Sequence, residues 1–273
     1  KKSYKSIDWT EFQMKNIKTL PAGYQPSEKL LEERVILVTG AGDGIGRAAA
    51  RSFAAHGATV ILLGKTQGKL EQVYDEIVAA GHPEPLILPL DLQYLTPDSA
   101  KALTETIEQE LGRLDGLLHN AALLGSVTPV ANYSPERWQQ VMQVNVHAAF
   151  LLTQTLLPLL TQAPDGSIVF TTSSVGRQGR AFWGAYAVSK FAVEGLMETL
   201  ADELEEVTAV RVNAINPGAT RTRMRAAAYP GENPATRPTA DSLMPLYLYL
   251  MGTDSEGVSG YSFDAQPPLT TQA

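Results

Sequence analysis

Arg34-Val35-Ile36-Leu37-Val38-Thr39-Gly40-Ala41-Gly42-Asp43-Gly44-Ile45-Gly46 is the stretch that decides the fold. Its apolar run reads as a strand buried on both faces, as in a parallel sheet. The glycines that follow form a strand-to-helix turn, and the helical pattern continues over 44–56. Glycines at such a turn let the backbone approach a pyrophosphate, which then sits at the positive end of the helix. The strict G-x-G-x-x-G spacing does not fit, because the sixth position from Gly40 is Ile45 and from Gly42 is Arg47. The spacing T-G-x-x-x-G-x-G does fit, through Thr39, Gly40, Gly44 and Gly46. The bland alternative is a tight turn with no ligand.

Outward from this stretch, short apolar runs alternate with helical patterns. Further strands are expected at 58–63, 85–90, 116–119, 167–171, 209–215 and 261–264. Thr96-Pro97 and Ser134-Pro135 read as helix starts, each with a capping hydroxyl and proline at the first helical position. The alternation predicts an α/β, Rossmann-type doubly wound parallel sheet of seven strands with helices on both faces. Residues 34–273 are expected to form a single domain. Residues 1–33, with Pro21, Gly23 and Pro26, read as an N-terminal extension, a partly disordered surface arm.

Composition narrows the function. The chain has 273 residues, 44% hydrophobic and 19% charged, ample for a core. Its formal net charge of −7 argues against a nucleic-acid-binding surface. Cysteine is absent, which excludes disulfides, thiolate catalysis and cysteine-bound zinc. The 4 histidines lack metal-ligand spacing, so no metal is expected. The apolar stretch 148–160 is broken by Thr153, Gln154, Thr155 and Pro158, and reads as a buried helix and not a membrane span. Residues 1–20 are polar and lack the apolar centre of a secretory signal, so the expected location is the cytoplasm.

Two features point to chemistry. Tyr186 and Lys190 are one helical turn apart and share a helix face. An ammonium there is expected to lower the pKa of the phenol and fit it for proton transfer to a substrate oxygen. After the second strand comes Gly64-Lys65, where a carboxylate would bind an adenosine ribose and repel a 2′-phosphate. A glycine and a cation there favour NADP(H) over NAD(H). Asp43 pulls weakly the other way, and the bland alternative for Lys65 is a solvated surface lysine.

Together these residues resemble the short-chain dehydrogenase/reductase family, of the simple single-domain type, over about residues 34–264. Ser173–Arg180, Gly184–Phe191 and Phe263-Asp264-Ala265-Gln266-Pro267 resemble a narrower bacterial group, the YciK-like oxidoreductases. The resemblance implies interconversion of a carbonyl and an alcohol on a small molecule by hydride transfer. It implies catalytic roles for Asn145, Ser173, Tyr186 and Lys190. Ser173 is preferred to Ser174 because the family serine lies thirteen residues before the tyrosine. Cofactor contacts are implied for Gly40, Gly42, Asp43, Gly44, Ile45, Gly46, Lys65, Asp91 and Leu92. The same holds for Asn120, Ala121, Ala122, Tyr186, Lys190, Pro217, Gly218, Thr220 and Thr222. Lys190 would hold the ribose hydroxyls, and Asn145 would position a water linking Lys190 to solvent.

His119 and Ala122 depart from the family's asparagine and glycine, and Ala265 departs from the Asp-Gly-Gly that usually ends the last strand. The resemblance further implies a homodimer or homotetramer packed through the helix from about 184 to 206, and a substrate-binding segment over about 221–237. Leu123, Leu124, Phe182, Trp183 and Met224 are expected along an apolar cleft. Arg177, Arg180, Arg221, Arg223 and Arg225 are candidates for a substrate anion or for a solvated lid. The rival readings are a non-enzymatic NADP(H)-binding sensor on the same fold and an epimerase or dehydratase. No nucleic acid or membrane partner is expected.

Overall fold

Every residue of strand β2 (Val35–Thr39) is buried, and the same holds for β5 (Gly116–His119) and β6 (Ser167–Thr171). Strands of this kind need cover on both faces, and the order of elements supplies it. The structure, a computed structural model, describes residues 17–266. Strand β1 (Ile17–Thr19) precedes β2, which leads into α1 (Gly44–Ala55), β3 (Thr59–Gly64), α2 (Gln67–Ala79) and β4 (Leu86–Pro89). Then come α3 (Pro97–Leu111), β5, α4 (Pro135–Met142), α5 (Ala148–Leu160), β6 and α6 (Gly184–Leu204). The chain ends with β7 (Arg211–Asn216), α7 (Arg223–Ala228), α8 (Met244–Met251) and β8 (Ser262–Asp264).

The sheet runs β1-β8-β7-β6-β5-β2-β3-β4 with every pair parallel. One core, with Phe53, Val73 and Tyr247, seats α1, α2 and α8 on one face. The other, with Ile107, Leu152 and Met197, seats α3, α5 and α6 on the opposite face. The doubly wound α/β architecture is therefore as expected, but among the described residues the sheet has 8 strands and not seven. The additional strand is Ile17–Thr19, which pairs with β8 so that Ile17 faces Ser262 and Thr19 faces Asp264. Three half-exposed residues carry no periodicity, and the pairing is made by the main chain, so the sequence pattern had no means to show it. Leu31 is also fully buried, and its N–H donates to the His56 carbonyl at 2.9 Å. The rest of the expected arm, residues 1–16, lies outside the described residues.

The two proline-led helix starts form as read. Thr96 and Ser99 cap α3 reciprocally with Pro97 at its start, and the Ser134 hydroxyl accepts from Arg137 N–H at the start of α4. Helix α4 joins α5 through one wide turn of π-helix, Gln143–His147. The chain moves outward from β2 to β3 and β4, then returns to β5 on the other side of β2. That reversal opens a crevice beyond the C-terminal ends of β2 and β5, where ligands bind in sheets of this type.

Candidate active site

A cleft of about 1120 Å³ occupies this crevice. Its rim is the glycine loop, with Gly40, Gly42, Asp43, Gly44 and Ile45 lining it. Gly40 (φ +68°) and Gly44 (φ +53°) hold the left-handed backbone that lets the loop turn from β2 into α1. Gly46 does not face the cleft; a β-carbon there would overlap the Gly40 carbonyl oxygen. Its role is close packing of α1 on the loop.

At the far end, beyond β3, the lining includes Gly64, Lys65, Lys69, Asp91 and Leu92. Asp91 accepts from Gln93 N–H at 3.0 Å and starts a short helical turn. Asp43 is committed to cations: Lys69 Nζ lies 2.7 Å and Arg223 Nε 3.3 Å from its Oδ2. Burial works against its charge, yet the Lys69 ammonium, the Gly44 amide and Arg223 together hold the carboxyl below its usual range. Lys69 was not anticipated from the sequence. The available signal was its place four residues after Lys65, in the first turn of α2.

The floor is formed by the loop after β5. Asn120, Ala121 and Ala122 all line the cleft. Asn120 also ties β5 to β2, since its backbone N–H and side-chain amide donate to Thr39 Oγ1 and Thr39 O. His119 is buried, stacked on Phe170 at 4.7 Å between ring centres, with Nε2 2.9 Å from Thr153 Oγ1. Burial, with Lys190 nearby, pushes its pKa down to about 3, so it stays neutral.

Ser173, Tyr186 and Lys190 come together in the same cleft, as does Ser174, which is exposed. Tyr186 and Lys190 are both buried on α6. Lys190 Nζ donates to Thr171 O at 2.6 Å and lies 5.6 Å from the centre of the Tyr186 ring. The expected lowering of the tyrosine pKa is not what this arrangement produces. Burial pushes Tyr186 up to about 12, against a smaller opposite pull from the Ser173 hydroxyl. Lys190 is itself pushed down by burial to about 8, partly opposed by Glu194. Desolvation disfavours both charged forms and outweighs their proximity.

Asn145 lies outside the main cleft, in the wide turn between α4 and α5. Its amide donates to Leu123 O at 3.0 Å and Ser189 Oγ at 2.9 Å, and its Oδ1 accepts from Leu123 N–H at 2.7 Å. Both N–H donors are therefore engaged by the protein. Behind Lys190 a second cavity, of about 10 Å³, touches Thr39, His119, Asn145 and Thr171.

Pro217, Gly218, Thr220 and Thr222 follow β7 along the cleft. Gln266, given no role from the sequence although it sits in a group-specific run, clamps this turn by donating to Pro217 O at 2.7 Å. Thr222 caps α7 by accepting from Arg225 N–H at 3.1 Å. Leu123, Leu124, Trp183 and Met224 line the cleft as expected, whereas Phe182 and Arg221 do not. Phe182 is 53% exposed, and Arg221 donates to Pro234 O and Arg237 O. Among the described residues no cluster of three metal-binding side chains occurs, and no helix is long and apolar enough to cross a membrane.

Known proteins share this sequence pattern and fold. The family profile described as short chain dehydrogenase matches residues 34–233. The oxidoreductase YciK of Escherichia coli (strain K12) is 56% identical over 244 residues, spanning 89% of this chain and 96% of that protein. A solved short chain dehydrogenase from Pseudomonas syringae is 59% identical and superposes with a TM-score of 0.88, covering 89% of this chain and 98% of its own. A short chain dehydrogenase from Shigella flexneri, solved in complex with NADP, is 55% identical with a TM-score of 0.86 and covers 88% and 100%. With its glycine loop, switch-point cleft and Ser173, Tyr186 and Lys190 in one place, the chain belongs to the short chain dehydrogenase family of oxidoreductases.

Proposed function

We propose that this chain interconverts a carbonyl and an alcohol, using NADP(H) in preference to NAD(H), with Tyr186 as the proton donor and acceptor. The observation that carries the reading is the convergence of Ser173, Tyr186 and Lys190 on a cleft whose rim is a left-handed glycine turn at a helix N-terminus. That rim fits a dinucleotide: Gly40 and Gly44 expose main chain to the cleft, and the start of α1 favours an anion there. The nicotinamide, when bound, supplies or accepts the hydride.

The protein's own residues do the rest. In reduction, the Tyr186 phenol, which burial keeps protonated, gives its proton to the carbonyl oxygen. The Ser173 hydroxyl donates to the same oxygen as negative charge develops on it. Lys190 supplies a positive charge beside the phenol below about pH 8. The small cavity behind Lys190 is near the lower limit for one water, and Asn145, by pinning Leu123 and Ser189, shapes its wall. The Pro217-Gly218 turn, clamped by Gln266, sets the near wall of the cleft.

Preference for NADP(H) is supported by three observations. No carboxylate ends β3, where Gly64 precedes the cleft-facing Lys65. Lys69 lines the same end of the cleft, and Asp43 is already neutralised by Lys69 and Arg223. The Shigella flexneri relative binds NADP. We also propose a homodimer or homotetramer, packed through the outward faces of α5 and α6.

The test is a spectrophotometric panel of aldehydes, ketones, quinones and sterols with NADPH and NADH. Turnover with NADPH at lower KM than NADH is expected. Tyr186→Phe should still bind NADPH, seen by fluorescence titration, while turnover falls by orders of magnitude. Cofactor binding without turnover on any carbonyl would favour a sensor, and full activity in Tyr186→Phe would refute tyrosine acid–base catalysis.

A further inference from the structure

Five arginines line the cleft: Arg177, Arg180, Arg223, Arg225 and Arg237. Four are compensated by carboxylates. Arg177 reaches Glu194 at 3.3 Å and Asp264 at 2.8 Å. Arg223 reaches Asp43 at 3.3 Å. Arg225 and Arg237 share Glu232, at 2.6 and 2.5 Å, and the two guanidinium groups hold its carboxyl down to about 2. Of these five, Arg180 alone meets no carboxylate among the described residues; its side chain donates a hydrogen bond to the Tyr229 hydroxyl at 3.4 Å.

The path from Arg180 to the reacting centre is aromatic. Tyr229, at the end of α7, is held from behind by the Arg225 guanidinium, 3.7 Å from its ring centre. Trp183 lies 6.0 Å from Tyr229 and 5.7 Å from Tyr186, between ring centres. Leu124 and Met224 pack around the same wall. The wall thus has a buried proton donor at one end, apolar and aromatic surface in the middle, and an uncompensated guanidinium at the exposed rim.

We propose that Arg180 is a specificity-determining residue that binds a carboxylate on the substrate, so that the substrates are aldehydes or ketones whose apolar or aromatic body ends in an anion remote from the carbonyl. A guanidinium presents a fork of N–H donors matched to a carboxylate, and a site on the rim leaves it partly screened. The four compensated arginines shape the wall and hold α7, and their charge is already spent. In the reaction, hydride from NADPH joins the carbonyl carbon, the Tyr186 proton joins its oxygen, and NADP+ is released. The anion takes no part in bond changes.

This inference rests on the hydride-transfer reading, and the test separates the two. The substrates are 4-formylbenzoate and its methyl ester, which share a carbonyl and differ in charge. The wild-type protein is expected to favour the acid by about fivefold in kcat/KM, the upper end for a solvent-screened ion pair. Arg180→Met should lower the acid-to-ester ratio by about the same factor, with the change in KM, and Arg180→Lys should restore part of it. A wild-type ratio at or below one, or a ratio unchanged in Arg180→Met, overturns the anion site while ester turnover leaves hydride transfer standing. If neither aldehyde oxidises NADPH, hydride transfer is judged on the wider carbonyl panel. Calorimetric titration of the two compounds with NADP+ present then decides the anion site. Acid binding weakened by Arg180→Met supports it, and equal binding of acid and ester overturns it.

Discussion

Burial acts on Lys190 and Tyr186 in opposite directions, because removing water favours the neutral form of each. The ammonium falls from the ordinary 10.5 to about 8, and the phenol rises from 10.0 to about 12. The charged lysine beside a protonated phenol therefore exists below about pH 8 in the folded chain. Above it the lysine is neutral, although the phenol still holds its proton. Carbonyl reduction should accordingly level off on the acid side and fall as pH rises through about 8. Lys190→Arg, whose guanidinium stays charged, should move that limb to higher pH. A kcat/KM profile for both proteins checks this; a wild-type limb that stays in place in Lys190→Arg would assign it to another group. The stability sign follows from linkage. Between about 8 and 10.5 the unfolded chain holds a lysine proton that the folded chain lacks, so Lys190 contributes stability that rises with pH there. Tyr186 does the reverse between 10.0 and about 12.

At the scale of elements, the glycine loop holds α1 so close to β2 that a single methyl decides it. A β-carbon at Gly46 would overlap Gly40 O and lie 2.6 Å from Asn120 Nδ2, backbone and a sheet-tying amide that have little room to move. Gly46→Ala should therefore lower stability by about 1–3 kcal/mol and weaken NADPH binding by displacing the loop. Gly68, inside α2, has nothing within 4 Å of an added β-carbon. Gly68→Ala should raise stability by about 0.5–1 kcal/mol, giving a matched control in urea unfolding. The strand-to-helix alternation, both proline-led caps and this loop were legible because each is written in contiguous residues. The β1 pairing and the contacts of Tyr229 were not. Ile17–Thr19 joins the sheet by main-chain pairing, and Tyr229 reaches Trp183 and Arg180 only after the chain folds back. The partners of Asn145 were also hidden, since Leu123 and Ser189 are both distant in sequence. Nor could a four-residue spacing report that burial would outweigh the Tyr186–Lys190 attraction.

For the whole molecule, the proposed assembly depends on apolar area that the folded chain leaves uncovered. Helix α6 buries Val193, Met197 and Leu200 against the sheet, while Val188 and Phe191, one turn apart on its outer side, stay 44% and 45% exposed. Phe150 on neighbouring α5 is 47% exposed. Helices that present large apolar side chains on the side away from the core suit a self-complementary contact, the usual form of a two-fold interface. The face also lies on the helix that carries Tyr186 and Lys190, so pairing would brace that helix from outside. Phe191→Glu places two like charges close together across a two-fold contact without disturbing the core. Light scattering after size-exclusion chromatography should then show the wild-type chain as a dimer or tetramer and Phe191→Glu at lower mass, with thermal unfolding of the wild type more dependent on protein concentration than that of the variant. A wild-type chain that runs at monomer mass over the whole concentration range would refute the assembly, and an unchanged mass for Phe191→Glu would move the contact to a different face.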